Sequence, residues 1–227
     1  MKISGLQKLT LLDYPSKTAC TVFTYGCNFR CGFCHNASLV TDPNPSEVSV
    51  ESVLAFLDKR KGILDGVCIT GGEPLLQSGT EEFLTEVKKR DFLVKIDTNG
   101  SFPEKLKYLC ERNLVDYVAM DIKNCKSRYS ETVGVPVDMG AIEESVVYLM
   151  SGKTEYEFRT TICKGLHDKT SMIEIGKWIR GAEKYFLQNF VDSGNLIGKA
   201  EGYDEKTLTE LLETVRQFIP SAKLRGV

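Results

Sequence analysis

Short apolar runs alternate with longer stretches of helical periodicity along most of this chain. Apolar runs of this length predict strands, and apolar residues spaced three or four apart predict helices. The predicted strands are 19–25, 67–69, 92–96, 115–122, 156–162 and 185–190. The predicted helices are 50–61, 80–90, 103–111, 139–150, 169–180 and 206–218. A Pro-rich connector, 41–46, separates the region after the first strand from the first helix.

This alternation of strand and helix has no break in composition. It therefore predicts a single α/β domain over residues 1–227, with a parallel sheet. Periodicity alone does not distinguish an open, doubly wound sheet from a partial barrel. In both architectures the carboxyl ends of the strands lie at one edge, where ligands bind. The residues that follow each strand are therefore the candidates for a functional site.

Three cysteines follow the first predicted strand with C-x3-C-x2-C spacing. They are Cys27, Cys31 and Cys34, in the loop 26–36. Such a loop can bring three thiolates onto one metal centre, but tetrahedral zinc and a fully protein-held iron–sulfur cluster both take four ligands. Three cysteines thus leave one coordination position open for chemistry. His35 is the alternative fourth ligand, although its position next to Cys34 makes that geometry awkward.

The cysteine count is the one feature of the composition that changes this picture. The chain has 227 residues, 42% of them hydrophobic and 26% charged, and its net charge of −2 gives no electrostatic case for binding nucleic acid or an anionic membrane. We see no signal peptide or membrane-spanning run, and expect a cytoplasmic protein. Disulfides are disfavoured there, so eight cysteines indicate metal or redox use. Five lie outside the loop and are expected to be buried small hydrophobic residues: Cys20, Cys68, Cys110, Cys125 and Cys163.

Polar turns follow the second and third predicted strands. Residues 71–74 read Gly-Gly-Glu-Pro, in which the glycines permit close backbone approach to a ligand and Glu73 offers a carboxylate to an ammonium group. The same residues also suit a plain turn into a helix. Residues 97–100 read Asp-Thr-Asn-Gly, a good turn sequence in its own right. Asp97 and Thr98 also offer a carboxylate and a hydroxyl to a ribose or a cation.

Side-chain alternation places charged residues on one face of several strands. The pairs that share a face are Lys95 with Asp97, Asp121 with Lys123, and Glu157 with Arg159. Because parallel sheets are generally covered on both sides, this polar face favours a shared interior site. In the structural alternative, Lys123 and Arg159 only pair with Asp121 and Glu157; otherwise they neutralise a ligand carboxylate. His167 lies in a Gly-containing turn, and we expect it to be solvated.

Two linked motifs resemble the radical S-adenosylmethionine superfamily. They are the cysteine motif with its aromatic Phe33 after strand one and the Gly-Gly-Glu-Pro turn at 71–74 after strand two. Over nearly the whole chain the sequence is similar to the activating enzymes of glycyl-radical enzymes. The stretches that carry this likeness are 6–15, 26–36, 97–100 and 120–123. The branch it resembles is the anaerobic ribonucleoside-triphosphate reductase activating protein, which is similar to pyruvate formate-lyase activating enzyme.

The resemblance implies a partial (β/α)6 barrel and a [4Fe–4S] cluster on the three loop cysteines, with S-adenosylmethionine on the fourth iron. It implies that Phe33 lies near the adenine, and that Gly71, Gly72 and Glu73 lie near the methionyl ammonium. Asp97, Thr98, Asn99 and Asp121 would lie around the ribose and the sulfonium, or Asp97 and Asp121 would bind a monovalent cation. Lys123 and Arg159 would lie near the methionyl carboxylate.

The activity implied is reductive cleavage of S-adenosylmethionine to a 5′-deoxyadenosyl radical under anaerobic conditions. That radical would remove a hydrogen atom from a glycine of a partner enzyme, an anaerobic ribonucleotide reductase. A flavodoxin or ferredoxin would donate the electron.

The sequence departs from the branch at Ser16, where Gly commonly follows Tyr-Pro, and at Gly32, where Pro is common. Neither change removes a ligand. Two alternative functions are a radical enzyme that modifies a small molecule or peptide and a non-catalytic module with a closed zinc site. The segment 191–203 is either a contact for a partner loop or a plain connector.

Overall fold

The computed structural model describes residues 1–42, 46–192 and 194–226. Its strands are β1 (Ile3–Thr10), β2 (Ala19–Thr24), β3 (Gly66–Gly71), β4 (Leu93–Thr98), β5 (Tyr117–Asp121), β6 (Glu155–Ile162), β7 (Tyr185–Asn189) and β8 (Lys223–Arg225). Its helices are α1 (Ala37–Thr41), α2 (Val50–Asp58), α3 (Thr80–Lys88), α4 (Pro103–Glu111), α5 (Tyr129–Val133), α6 (Met139–Met150), α7 (Lys169–Trp178) and α8 (Glu205–Arg216). Two 3-10 turns cover Pro74–Leu76 and Lys126–Arg128.

The strands follow one another in the sheet in the order of the chain. The pairs β2–β3, β3–β4, β6–β7 and β7–β8 are parallel, whereas β1 pairs with β2 in the antiparallel direction. The predicted α/β fold with a parallel sheet is confirmed. The prediction of six strands was wrong at both ends of the chain, because it missed β1 and β8.

The chain divides into two compact units. Unit 1 comprises residues 1–28, 38–98 and 102–119, and unit 2 comprises 29–37, 99–101 and the chain from Met120 onward. Strand β5 runs from unit 1 into unit 2. The single domain expected over residues 1–227 stays a prediction.

The interior of unit 1 is built on β2, β3 and β4. Val22, Ile69 and Ile96 are register partners on these strands and are fully buried. Helix α3 buries the apolar face that its periodicity predicts, including Phe83 and Val87. Burial of such side chains, at roughly 1.5–3 kcal/mol each, is the main force that holds these layers together.

Unit 2 uses capped helices around β6 and β7. Asp138 caps α6, and Asp168 forms a capping box with Ser171 at the start of α7. Such caps satisfy backbone N–H groups that have no partner within the helix. The side chains of Phe158 and Leu187, from β6 and β7, are fully buried.

Two predicted segments are only partly described. Residues 43–45 of the predicted connector 41–46 and residue 193 of the segment 191–203 lie outside the described residues. Within the described ranges, none of the helices combines the length and the apolarity needed to cross a membrane.

Candidate functional site

In unit 1, the Gly-Gly-Glu-Pro turn lies against the start of the cysteine loop. The Gly72 N–H donates to the Thr24 carbonyl (2.9 Å), and the Glu73 N–H donates to the Gly26 carbonyl (2.8 Å). A Cβ on Gly72 would lie 2.0 Å from the Gly26 oxygen, and a Cβ on Gly71, whose φ is +110°, would lie 2.5 Å from the Thr24 nitrogen. Both positions therefore require glycine. The close approach seen here is to the chain's own backbone, and a role of the glycines beside a ligand stays a prediction.

The Glu73 carboxylate is buried and hydrogen-bonded within unit 1. Its side chain caps the 3-10 turn, because Oε1 accepts from the Leu75 N–H (3.0 Å). The same oxygen accepts from the Thr98 hydroxyl at the end of β4 (2.8 Å). Two predicted cofactor-binding residues, Glu73 and Thr98, are thus brought into contact. Lys105, which sequence reasoning missed, supports this turn from α4 by donating to the Leu75 carbonyl (3.0 Å).

Asp97, also on β4, pairs with Lys95 on the same face of the strand. The Lys95 ammonium donates to Asp97 Oδ1 and lies 3.8 Å from the Cys68 sulfur on β3. The Lys95 side chain is only 2% exposed, and that of Asp97 is 15% exposed. The alternation predicted that these two residues share a face, but Lys95 was not recognised as a site residue.

The cysteine loop is divided between the units, with Cys27 in unit 1 and Cys31 and Cys34 in unit 2. In unit 2 the Cys34 N–H donates to the Cys31 carbonyl (3.1 Å), which forms a tight turn between these two thiols. The Gly198 N–H donates to the Gly32 carbonyl (2.8 Å), so the segment 191–203 contacts this turn. A Cβ on Gly198 would lie 3.1 Å from the Gly32 Cα, which explains the small residue at position 198.

A charged cluster in unit 2 joins β5 to β6. Asp121 accepts from Lys123 Nζ (2.9 Å) and from Arg159 Nε (2.9 Å). Removal from bulk water acts to raise the pKa of Asp121, but the charges of Arg159 and Lys123 outweigh it and lower that pKa to about 2. Burial acts to lower the pKa of Lys123, but the Asp121 charge reverses this and raises it. The cluster therefore carries one negative and two positive charges at neutral pH.

The same cluster contacts the cysteine loop within unit 2. The Lys123 ammonium lies 5.9 Å from the centre of the buried Phe33 ring. Burial raises the pKa of the Cys31 thiol, and the positive charge of Lys123 partly opposes this rise. Cys31, Phe33 and Lys123 are thus brought together, and their roles at a cofactor stay a prediction.

Asn99 serves the turn in which it lies. Its Oδ1 accepts from the Ser101 N–H (3.0 Å) and the Ser101 hydroxyl (2.6 Å). The next residue, Gly100, accepts at its carbonyl from the Ser145 hydroxyl on α6 (2.7 Å). These contacts fit the turn interpretation of residues 97–100, and a contact between Asn99 and a cofactor stays a prediction.

The prediction that His167 is solvated was wrong. The ring is fully buried, accepts at Nδ1 from the Cys163 N–H (3.1 Å) and, as that tautomer requires, donates from Nε2 to the Lys123 carbonyl (2.8 Å). Burial lowers the pKa of His167, which favours this neutral form. His167 therefore positions the backbone of Lys123, a role that no local sequence signal indicated.

The structural alternative paired Lys123 and Arg159 with Asp121 and Glu157; the two Asp121 pairs are present, whereas Glu157 pairs with Arg225. Glu157 is fully buried and forms a two-pronged ion pair with Arg225 of β8 (2.6 and 2.8 Å). Arg225 also stacks on the Phe186 ring, 3.6 Å from its centre. Of the two acids predicted for Arg159, the structure pairs it with Asp121.

The donor set of the cysteine loop fits an iron–sulfur cluster. All eight cysteines carry thiols and not disulfides, and the five outside the loop are buried as predicted. Among the described residues, no group of three or more His, Cys, Asp or Glu side chains converges as a site for a single metal ion. A [4Fe–4S] cluster does not require such convergence, because each thiolate binds a different iron. Metal binding would displace the proton from the Cys31 thiol.

Comparison with known proteins gives three findings. The family model described as "Radical SAM superfamily" matches residues 21–155. A protein of Methanocaldococcus jannaschii, named by inference as a glycyl-radical enzyme activating enzyme, is 29% identical over 99% of this chain and 96% of its own length. The pyruvate formate-lyase-activating enzyme of Clostridium pasteurianum is 32% identical over 54% of this chain and 52% of its own length.

Solved structures support the fold. The crystal structure of Streptococcus suis SuiB bound to S-adenosylmethionine has a TM-score of 0.71 and 18% identity, and the match covers 89% of this chain. The chain spans about half of SuiB, since the match covers 49% of that chain.

Proposed function

This chain belongs to the radical S-adenosylmethionine superfamily, and from that membership we propose that it cleaves S-adenosylmethionine reductively and generates a glycyl radical on a partner enzyme. The observation that carries the proposal is the set of three loop thiols in a chain whose relative over nearly full length is named for glycyl-radical enzyme activation. The partner we propose is an anaerobic ribonucleoside-triphosphate reductase.

Cys27, Cys31 and Cys34 would hold a [4Fe–4S] cluster with one open iron. When bound, that cluster would supply one electron for cleavage of the C–S bond of S-adenosylmethionine, which leaves methionine and a 5′-deoxyadenosyl radical. The residues of the chain orient the reactants and exclude water. The Cys31–Cys34 turn accepts a hydrogen bond from Gly198 at the Gly32 carbonyl. The turn includes Phe33, which would lie beside the adenine.

Charge supports the assignment of the methionyl group. The cluster of Asp121, Lys123 and Arg159 has a surplus positive charge, which suits the methionyl carboxylate. Glu73, Gly71 and Gly72 would face the methionyl ammonium, and Asp97, Thr98 and Asn99 the ribose. The monovalent cation implied at Asp97 and Asp121 has no support in the comparisons, and no cation is required to balance either carboxylate.

The segment 191–203 is proposed to contact the loop of the protein substrate. It touches the cysteine turn through Gly198, and its first residue, Val191, is 63% exposed. A substrate glycine that approached the cluster over this turn would meet the segment. A flavodoxin or ferredoxin is proposed as the electron donor, in an anaerobic cytoplasm that keeps the eight cysteines reduced.

The test is anaerobic reconstitution with iron and sulfide, followed by measurement of 5′-deoxyadenosine and of a glycyl radical on the candidate partner by electron paramagnetic resonance. Cys31→Ala should abolish both signals, and Cys110→Ala, which removes a buried thiol outside the loop, should retain both. Cleavage of S-adenosylmethionine by the Cys31→Ala protein would contradict the assignment. Cleavage by the wild type without a glycyl radical on any partner would favour a small-molecule or peptide substrate.

A further inference from the structure

The two carboxylates for which the resemblance implies a monovalent cation already lie beside cationic side chains. Lys95 pairs with Asp97 in unit 1, and Lys123 and Arg159 pair with Asp121 in unit 2. An added cation would meet a positive charge at either carboxylate. The residues present therefore do not fit a bound monovalent cation.

Lys95 has a fixed position because β4 places it beside buried register partners on the neighbouring strands. It is the register partner of Cys68 on β3, which is itself the register partner of Thr21 on β2. Cys68 and Thr21 are fully buried and uncharged. A buried ammonium costs several kcal/mol unless it is paired, and among these neighbours Asp97 provides the negative charge. Lys95 therefore stays on Asp97.

An ammonium group and a potassium ion present the same charge to carboxylate oxygens. A covalently attached ammonium is always present, whereas an ion must be bound from solution. We propose that the Lys95 ammonium takes the place of a bound monovalent cation at Asp97, so that this chain binds S-adenosylmethionine without Na⁺ or K⁺. The statement about S-adenosylmethionine rests on the proposed function, whereas the statement about Asp97 does not.

The first test measures cation binding without any cofactor. The melting temperature of the full chain is compared in potassium chloride and in choline chloride at equal ionic strength, with and without the reconstituted cluster. The wild type should melt at the same temperature in both salts. Lys95→Met removes the ammonium beside Asp97, and K⁺ binding there should raise its melting temperature by about 3–5 °C.

Two control variants locate the effect. Lys88→Met breaks the Lys88–Asp116 ion pair, in which both side chains are partly exposed, and should not respond to K⁺. Lys95→Met combined with Asp97→Asn removes both charges and should not respond either. A response of the double variant would place the ion elsewhere and overturn the proposal, as would a Lys95→Met protein that melts equally in both salts.

The second test uses the dissociation constant of S-adenosylmethionine for the reconstituted wild type in the two salts. The proposal predicts values within about twofold of each other. A tenfold weaker affinity in choline chloride, about 1.4 kcal/mol, would overturn it. This measurement also decides the question if Lys95→Met does not fold. If S-adenosylmethionine does not bind in either salt, the proposed function fails, and the melting comparison still tests Asp97.

Discussion

The predicted site residues of unit 1 and those of unit 2 are held in different ways. In unit 1 the two carboxylates have partners within the unit: Glu73 accepts from Leu75 and Thr98, and Asp97 pairs with Lys95. In unit 2 one carboxylate, Asp121, holds two cations. The named groups of unit 1 thus leave no surplus positive charge, whereas the cluster of unit 2 carries one.

The polar face predicted from the sequence did not distinguish the tasks of its residues, whereas this difference between the units does. An internally bonded arrangement fixes the shape of a turn, and substitutions there should act mainly on stability. A surplus charge attracts a ligand of opposite charge, so loss of a cation there should act mainly on binding. Loss of the shared carboxylate Asp121 would remove both ion pairs and should act on stability.

The largest effect should come from Gly72→Ala in unit 1. The new Cβ would lie 2.0 Å from the Gly26 oxygen, and backbone cannot move aside as a flexible side chain can. We expect a loss of about 3 kcal/mol or more in the free energy of unfolding, measured by urea denaturation. Gly5→Ala is the matched control, because its Cβ would make an ordinary contact of 3.5 Å with Phe23. Equal stability of the two variants would show that the backbone of this turn can move to accommodate a side chain at position 72.

The next effect concerns Asp121 and depends on pH. Its pKa falls from the usual 3.8 to about 2 in the folded protein, so its stabilising contribution is present above pH 4 and is lost as the pH falls toward 2. Asp121→Asn should therefore cost about 2 kcal/mol at pH 7. The difference between wild type and variant in chemical denaturation should narrow below pH 4. A difference that stays constant from pH 7 to pH 2.5 would mean that the ion pairs do not stabilise unit 2.

Sequence reasoning found the strands whose side chains alternate or form an apolar run, and missed those without such a signal. Strand β1 includes Gly5 and a run of three exposed residues, Gln7, Lys8 and Leu9, and its pairing with β2 contains two register shifts. Strand β8 has three residues, too few for any period. The face shared by Lys95 and Asp97 was predictable because alternation is a local property of one strand.

Partners that are distant in the sequence were not predictable. The Glu157–Arg225 pair joins residues 68 apart and depends on the unseen strand β8. The His167 ring bonds to the carbonyl of Lys123, 44 residues away, although its own turn looks like a surface turn. In both cases the partner is set by tertiary structure, which the composition of the local segment does not report.

Arg159→Met tests the charge of unit 2 directly. Asp121 keeps Lys123 as a partner, so the loss of stability should be smaller than for Asp121→Asn, while the affinity for S-adenosylmethionine should fall about tenfold, or 1.4 kcal/mol. Arg112→Met removes an arginine that is more than half exposed and serves as the control for loss of one positive charge. Equilibrium binding to the reconstituted protein gives the affinity. If both variants bind equally well, the surplus charge does not recognise the methionyl carboxylate.

The smallest effect should come from Thr98→Val in unit 1. The substitution keeps the shape of the side chain but removes the hydroxyl that donates to Glu73 Oε1. The same oxygen keeps the Leu75 N–H as a donor, so the cost should be about 1 kcal/mol, at the lower end for a buried acceptor that loses a partner. Thr85→Val removes a hydroxyl that donates to a helix carbonyl, Glu81, and should cost less. A Thr98→Val protein of wild-type stability would show that this hydrogen bond does not stabilise the turn, and the division between the two units would not hold.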